Sequence, residues 1–414
     1  MFDDFLAGGT YPCLTSRVAQ DWSPGTSGPG GASFGITKNR AMSDAHDYLY
    51  VGIRSPENSG GCSDEAGASW CFGAARVDLS AGSFTRSWNT NHYGTAVPKA
   101  VDVLGKDDDI VVAEKSSEAW YQHNYSNSAV DWSNTGATEI TKLAWLDNPY
   151  FVATVAGSET MGGSCPGGSP TWEGQLWIGK LGDTDTTYVD AEVVGGANSG
   201  SKPEGVSVAP IDGAHSASCD SDADYVVYVG DYCQSRLYVY TVDIDASPPA
   251  LTYETDISLE VDSTSNSSIY AGDGDCEPST AAWYPDTGNV FMLCQTRSTI
   301  LEIQTGADQC DPTWTAQADE VQLKKWSSTA PDCSHNATIT DCSADDCEPH
   351  DIAWDANIWP GWIFMNLSGT GDVLAMEDDL TDQRVIYHDG SAFRPQELEL
   401  APSCNPNDEA WVYP

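Results

Sequence analysis

One phrase occurs twice in this chain and limits what it can become. Asp275-Cys276-Glu277-Pro278 runs on to Trp283, and Asp346-Cys347-Glu348-Pro349 runs on to Trp354 at the same spacing. Each phrase leads through an alternating stretch and a turn to an apolar run, Val290-Phe291-Met292-Leu293 in the first copy and Trp362-Ile363-Phe364-Met365 in the second. A third run follows in both, Ile300-Leu301-Glu302-Ile303 and Val373-Leu374-Ala375-Met376. Several short strands per unit, with the unit repeated, specify an architecture in which neighbouring units bury one another's faces.

Four looser copies lie upstream. Lys202-Pro203-Glu204-Gly205-Val206-Ser207-Val208 leads to Tyr225-Val226-Val227-Tyr228-Val229 and then to Arg236-Leu237-Tyr238-Val239-Tyr240. Related patterns begin at Ser33, Val97 and Ile140. Units of roughly 40 to 75 residues with about four strands each have the size of β-propeller blades joined by loops of uneven length. Sustained helical periodicity is missing, and short apolar blocks are bounded by Gly, Asp, Asn, Ser and Pro, the strand-and-turn pattern. The expected fold is therefore all-β, a single disulfide-stapled β-propeller of six four-stranded blades. Residues 1–32 form an N-terminal extension or closing segment, 33–393 the propeller and 394–414 a closing tail. Within that tail Ala410-Trp411-Val412-Tyr413 reads as a short strand pairing with the first or last blade.

Composition sharpens the setting. With 62 acidic against 18 basic residues the formal net charge is −44. Phosphate binding needs a basic face, so nucleic acid is excluded as a partner, and an anionic membrane surface is disfavoured for the same reason. The acid excess first of all solvates the molecule. Clustered carboxylates also make calcium the cofactor to expect if there is one, because its hard charge prefers oxygen ligands. Asp220-x-Asp222-x-Asp224 resembles the opening of a calcium loop, although Tyr225 stands where an EF-hand needs glycine. No stretch approaches the roughly 20 apolar residues of a membrane span. The start Met1-Phe2-Asp3-Asp4-Phe5 lacks the basic residue and apolar core of a secretory leader, which reads as a mature or truncated form.

Thirteen cysteines without a Cys-x-x-Cys spacing point to disulfides and an oxidising compartment. The expected pairs are Cys62 with Cys71, Cys219 with Cys233, Cys276 with Cys294, and Cys13 with Cys404 as a clasp between the termini. Cys310, Cys333, Cys342 and Cys347 form a cluster whose connectivity stays open. Four Asn-x-Ser/Thr sequons, at Asn124, Asn266, Asn336 and Asn366, fit a secreted glycoprotein.

In such a ring the first strand of each blade lines a central channel, and the starts of these strands converge on one mouth. Aligning the copies brings together Phe34, Lys99, Thr141, Glu204, Ser279 and His350, with Asp102, Lys142, Glu277, Glu348 and Asp351 one step away. His350 beside Asp351 has the makings of a general base near a metal-bound water. Its structural counterpart is hydrogen bonding to neighbouring blades. Two formal motifs carry less. Gly31-Ala32-Ser33-Phe34-Gly35 spells a nucleophile elbow but enters a strand, where the elbow must join a strand to a helix. Gly174 to Lys180 has phosphate-loop spacing, yet Leu181 replaces the metal-binding hydroxyl. Trp145, Trp283 and Trp354 fall at equivalent positions and read as packing between blades.

Pro203-Glu204-Gly205-Val206 with its Tyr225–Val229 strand, and the two Cys-Glu-Pro copies, resemble the six-bladed superfamily that includes the NHL, gluconolactonase and YWTD groups. In its calcium-dependent lactonases and phosphotriesterases a Glu, two Asn and an Asp hold an ion at the channel. By that resemblance Glu204, Glu277, Glu348 and Asp351 are the oxygen donors here, and no Asn stands at the corresponding strand starts. The function expected is a secreted, glycosylated binding module or subunit of an extracellular assembly. Its expected partners are other extracellular protein subunits or glycans. The alternative is a calcium-dependent hydrolase acting at the channel mouth.

Overall fold

The structure is a computed structural model. It describes residues 139–147, 149–156, 174–180, 187–196, 200–260, 276–315, 319–327, 339–343, 346–354 and 361–388, with the backbones of the strands before and after them. The strands form six four-stranded antiparallel sheets, each pairing its strands in chain order, over 32–88, 100–133, 139–193, 203–258, 278–322 and 349–388. These are called blades one to six below. Their first strands, Ala32–Lys38, Ala100–Lys106, Glu139–Trp145, Pro203–Pro210, Pro278–Tyr284 and Pro349–Trp354, pack side by side in that order.

A two-stranded sheet, Glu399–Ala401 with Trp411–Tyr413, stands between the first strands of blades six and one and completes the circuit. Among the described strands the circuit thus runs through the six four-stranded sheets that the sequence predicts and this short one, and the tail strand pairs with Glu399–Ala401 rather than with the first or last blade. Strands of three residues carry too little alternation to register as a unit of their own. A second short ribbon, Lys324–Trp326 with Ile339–Asp341, leaves blade five and packs on the outer strands of blade six.

Why the second strand of each blade is a continuous apolar run follows from its position. Tyr225–Asp231, Asn289–Cys294 and Trp362–Leu367 are buried along almost their whole length. Alternate side chains leave opposite faces of a strand. Val227 and Val229 meet Val152, Leu176 and Ile178 of blade three, while Val226 and Tyr228 meet Val290 and Met292 of blade five. Phe291 and Leu293 then meet Ile363 and Met365 of blade six. One strand serves two seams, and each such side chain taken fully from water contributes about 1.5–3 kcal/mol. Trp354 also seals a seam, edge-on to Tyr284 at 5.4 Å. Trp283 packs on the cluster between blades four and five, whereas Trp145 faces Phe151 of its own blade.

The repeated tetrapeptide builds the corner between blades. Pro278 and Pro349 open the inner strands, and the preceding Glu277 and Glu348 adopt left-handed φ values of 43° and 42°, uncommon outside glycine. Their carbonyls accept the N–H of the residue that follows the second strand, Gln295 at 3.1 Å and Ser368 at 3.0 Å. In blade four the carbonyl of Lys202 accepts Tyr232 N–H at 2.9 Å in the same way. The cysteine of each phrase donates its N–H to a serine of the previous blade, Cys276 to Ser235 Oγ at 3.2 Å and Cys347 to Ser298 Oγ at 3.4 Å. Ser235 and Ser298 are themselves left-handed, and their carbonyls accept Leu259 and Leu323 N–H. Each corner therefore gathers a hairpin, the end of an outer strand and the start of the next blade.

Covalent ties reinforce these corners. Cys276–Cys294 joins the phrase to the end of the second strand, as the spacing predicts. Cys342–Cys347 links the short ribbon to blade six. Cys219 bonds Cys310 and not Cys233. The loop that carries Cys219 leans over blade five, where Asp212 N–H donates to Gln309 Oε1 and Ser218 N–H to Asp308, so a distant cysteine lies nearest. Cys233 is disulfide-bonded too, and so are all seven cysteines among the described residues. Cys13, Cys62, Cys71 and Cys404 lie outside them. Disulfides at this density suggest a non-cytosolic environment. Among the described residues no helix is long and apolar enough to cross a membrane.

Candidate functional site at the channel mouth

Among the described residues, hydroxyls lock the starts of inner strands together at two seams. Thr141 Oγ1 of blade three donates to the Pro203 carbonyl of blade four at 2.6 Å, and Ser279 Oγ of blade five to the Pro349 carbonyl of blade six at 2.8 Å. Glu204 holds the matching position in blade four. As a carboxylate it has no proton to donate, and it pairs with Lys202 Nζ at 2.7 Å. That ammonium also lies 4.2 Å from the centre of the Tyr232 ring. Next to Glu204 stands Gly205, where a Cβ would sit 2.8 Å from the Thr280 carbonyl carbon. Glycine is required there because the inner strands of blades four and five touch.

One step further in, three blades meet. Lys142 Nζ of blade three lies 4.0 Å from Asp351 Oδ1 of blade six, and Thr280 Oγ1 of blade five donates to the same oxygen at 3.4 Å. The Asp351 N–H, freed from the ladder by a bulge, donates to Asn366 Oδ1 at 2.8 Å. Blade three repeats the device, with Lys142 N–H donating to Thr154 Oγ1 at 3.1 Å. His350 is pushed down to about 4, first by burial and then by the Lys142 cation, against the pull of Asp351. Its ring is neutral at neutral pH. Its Nε2 lies 3.4 Å from Gln295 Nε2, an arrangement in which the amide donates to the unprotonated nitrogen.

Asp231, at the end of the second strand of blade four, is wholly buried below this mouth. Its carboxylate accepts three backbone N–H groups, from Lys202, Cys233 and Gln234. Burial nonetheless pushes it up to about 6, and the charge of Glu204 adds to the rise.

The structure therefore brings together Lys142, Thr280 and Asp351 with His350 beside them, and separately Lys202 with Glu204. Glu277 and Glu348 stay in their own corners, accepting the Thr296 and Ser368 hydroxyls. Lys99 lies outside the described residues, and Phe34 and Asp102 lie on inner strands of which the backbone alone is described. The candidate calcium loop does not converge. Asp220 Oδ1 accepts Asp222 N–H at 3.2 Å and Asp224 Oδ2 accepts Ile244 N–H at 2.9 Å, which spends these carboxylates on turn geometry. Among the described residues no three acidic, histidine or cysteine side chains gather as metal ligands. Asn366 is fully buried inside its strand, so it offers no surface for a glycan. Asn124 lies on the strand Trp120–Asn124, and Asn266 and Asn336 lie outside the described residues. Gln175–Lys180 is a strand, which disposes of the phosphate-loop spacing.

Sequence reasoning missed Lys202, Asp231, Thr280 and Thr296. Lys202 was readable, since residues two apart in an extended chain share a side and Lys202 and Glu204 carry opposite charges. Thr280 was not, because neither residue type nor spacing reports its contact across blades to Asp351, and Thr296 was not, because its contact with Glu277 depends on how the hairpin of blade five folds back on the corner.

No protein-family profile and no curated protein matches this sequence. Solved structures do match. Streptogramin B lyase superposes with a TM-score of 0.52 at 12% identity, over 94% of this chain and 92% of that one. The β-propeller domain of Cps50 (Swd1) from Myceliophteria thermophila gives 0.50 at 8% identity, over 90% and 91%. The chain is a β-propeller. At such identities the likeness of this propeller to its neighbours establishes the fold, and its chemistry has to be argued from its own side chains.

Proposed function

We propose that this β-propeller works by contact, as a secreted, glycosylated binding module or subunit of an extracellular assembly. Its partners are other extracellular protein subunits or glycans. One observation carries this reading: each of the four described carboxylates predicted for the mouth is engaged by a donor from the protein itself. Lys202 holds Glu204, Lys142 and Thr280 hold Asp351, Thr296 holds Glu277, and Ser368 holds Glu348. Three of these contacts brace a single blade and the Asp351 contacts join three blades, so the carboxylates serve the fold and binding then falls to the loops around the ring. The loop over residues 211–224 suits that role, because Cys219–Cys310 and Gln309 fix it to blade five. Loops held on a rigid scaffold are where propellers and other folds place recognition.

The test compares the protein as purified with Glu204→Gln. Sedimentation at rising concentration and binding to an array of glycans are expected to reveal self-association or a glycan ligand, unchanged in the variant. Hydrolysis of lactones and phosphoesters, measured with and without calcium, is expected to stay at background. Turnover that Glu204→Gln abolishes would establish the calcium-dependent hydrolase instead.

A further inference from the structure

We propose that the Lys142 ammonium is the channel's resident cation, a positioning group that reaches across the ring to Asp351 and keeps the mouth's carboxylates from recruiting a divalent metal ion. Blades four and five lie between the two residues in ring order, so the pair spans the channel rather than a seam. Lys142 and Asp351 are each more than four-fifths buried, at 15% and 13% side-chain exposure. A carboxylate that deep requires a cation, a proton or several hydrogen bonds. Here Lys142 supplies the charge at 4.0 Å and Thr280 a hydrogen bond.

Blade four repeats the solution, with Lys202 at 2.7 Å from Glu204. The chain has 18 basic residues against 62 acidic ones, yet two of its lysines face two of the mouth carboxylates. A molecule carrying −44 concentrates divalent cations around itself. Under those conditions a mouth carboxylate left unneutralised beside the Thr280 hydroxyl would take up such an ion, and calcium prefers oxygen donors of this kind. The Lys142 ammonium fixed beside Asp351 occupies the place and repels the incoming charge. The inference rests on the contact reading of the same mouth, and it is tested through cation binding alone, so its failure leaves the partner measurements to be judged separately.

Four proteins decide the matter: wild type, Asp351→Asn, Lys142→Met and Lys142→Met/Asp351→Asn. Terbium luminescence with calcium competition reads binding, and thermal unfolding with and without calcium reads its effect on the fold. Wild type and Asp351→Asn are expected to bind equal numbers of ions, all of them weak surface sites. Lys142→Met is expected to gain one site at least tenfold tighter, to melt at a lower temperature without calcium, and to recover with it. The double variant is expected to lose both the site and the recovery. A tight calcium site in wild type that Asp351→Asn removes overturns the proposal, and so does a folded Lys142→Met that gains no site. Should Lys142→Met fail to fold, Lys142→Gln takes its place and the comparison of wild type with Asp351→Asn decides by the same criterion.

Discussion

The hydroxyl of Ser235 accepts the backbone N–H of Cys276, 3.2 Å away and one blade further round the ring. Both residues are buried, so the bond cannot be exchanged for one to water. Ser235→Ala leaves that N–H unsatisfied and keeps a Cβ on a residue with φ of 47°, at a cost of about 1–3 kcal/mol. Ser235→Gly loses the same bond but relieves the backbone by up to about 1 kcal/mol. Urea unfolding is expected to rank the alanine variant below the glycine variant and both below wild type. Equal stability of the alanine variant and wild type would show that the corner is not held this way.

The disulfides should differ in what they contribute. Cys219–Cys310 closes 91 residues of chain and Cys342–Cys347 closes 5. By loop entropy the first is worth roughly 4–5 kcal/mol and the second clearly less. Paired Cys→Ser replacements followed by chemical denaturation are expected to show that order. Non-reducing peptide mapping should recover a fragment joining Cys219 to Cys310, and a Cys219–Cys233 fragment would contradict the observed connectivity.

Two groups of the mouth, Asp231 and His350, oppose each other in acid. Asp231 binds its proton more readily folded than unfolded, near pH 6 against an ordinary 3.8, so its share of stability is full at low pH and is lost as pH rises from about 4 to 6. His350 titrates near 4 against an ordinary 6.5, so its share is full above 6.5 and is lost as pH falls toward 4. Each effect is worth up to about 3 kcal/mol. The contributions of these two groups to wild-type stability are expected nearly to cancel across this window. His350→Gln should become more stable on acidification, and Asp231→Asn should lose stability more steeply than wild type. Melting temperatures between pH 4 and 7 check both slopes, and parallel profiles for all three proteins would refute the assignment.

How much of this was written in the sequence depends on whether the controlling distance was local. The Cys-Glu-Pro phrase, the blade boundaries and Cys276–Cys294 were legible, because each is set within one strand-and-turn unit. Lys142 and Asp351 were placed at the mouth individually, but their meeting depends on how far the ring curves between blades three and six. No periodicity records that. Cys219–Cys310 was missed for a similar reason, since the loop that carries Cys219 folds over a neighbouring blade. Asn366 misled because a sequon is a statement about residue types, whereas its side chain is spent on the Asp351 amide inside a sheet.

That use of Asn366 predicts its modification state. Glycopeptide mass spectrometry of the natural protein is expected to find Asn366 unoccupied. Asn366→Ala should cost about 1–3 kcal/mol by orphaning the Asp351 N–H, where loss of an exposed glycosylation site would cost little.

The Arg297–Glu320 pair offers a sharper test of how the ring is held. Both side chains are almost wholly buried, with Arg297 Nε 3.0 Å from Glu320 Oε1. Thr299 donates its hydroxyl to the same oxygen at 2.5 Å, and Arg297 also donates to the Leu259 carbonyl of blade four at 3.2 Å. The guanidinium therefore ties the hairpin of blade five to its own outer strand and to the blade before it. Glu320→Gln leaves a buried cation without its counter-charge, which is expected to cost about 3–5 kcal/mol. Arg297→Met strands the carboxylate instead and should cost a similar amount. The double replacement Arg297→Met/Glu320→Leu removes both charges together, and is expected to recover most of either loss because the desolvation of the pair is also removed. A double-mutant cycle by chemical denaturation measures the coupling. Additive losses would show that the two side chains act independently and that the blade-four contact, not the ion pair, is what the ring depends on.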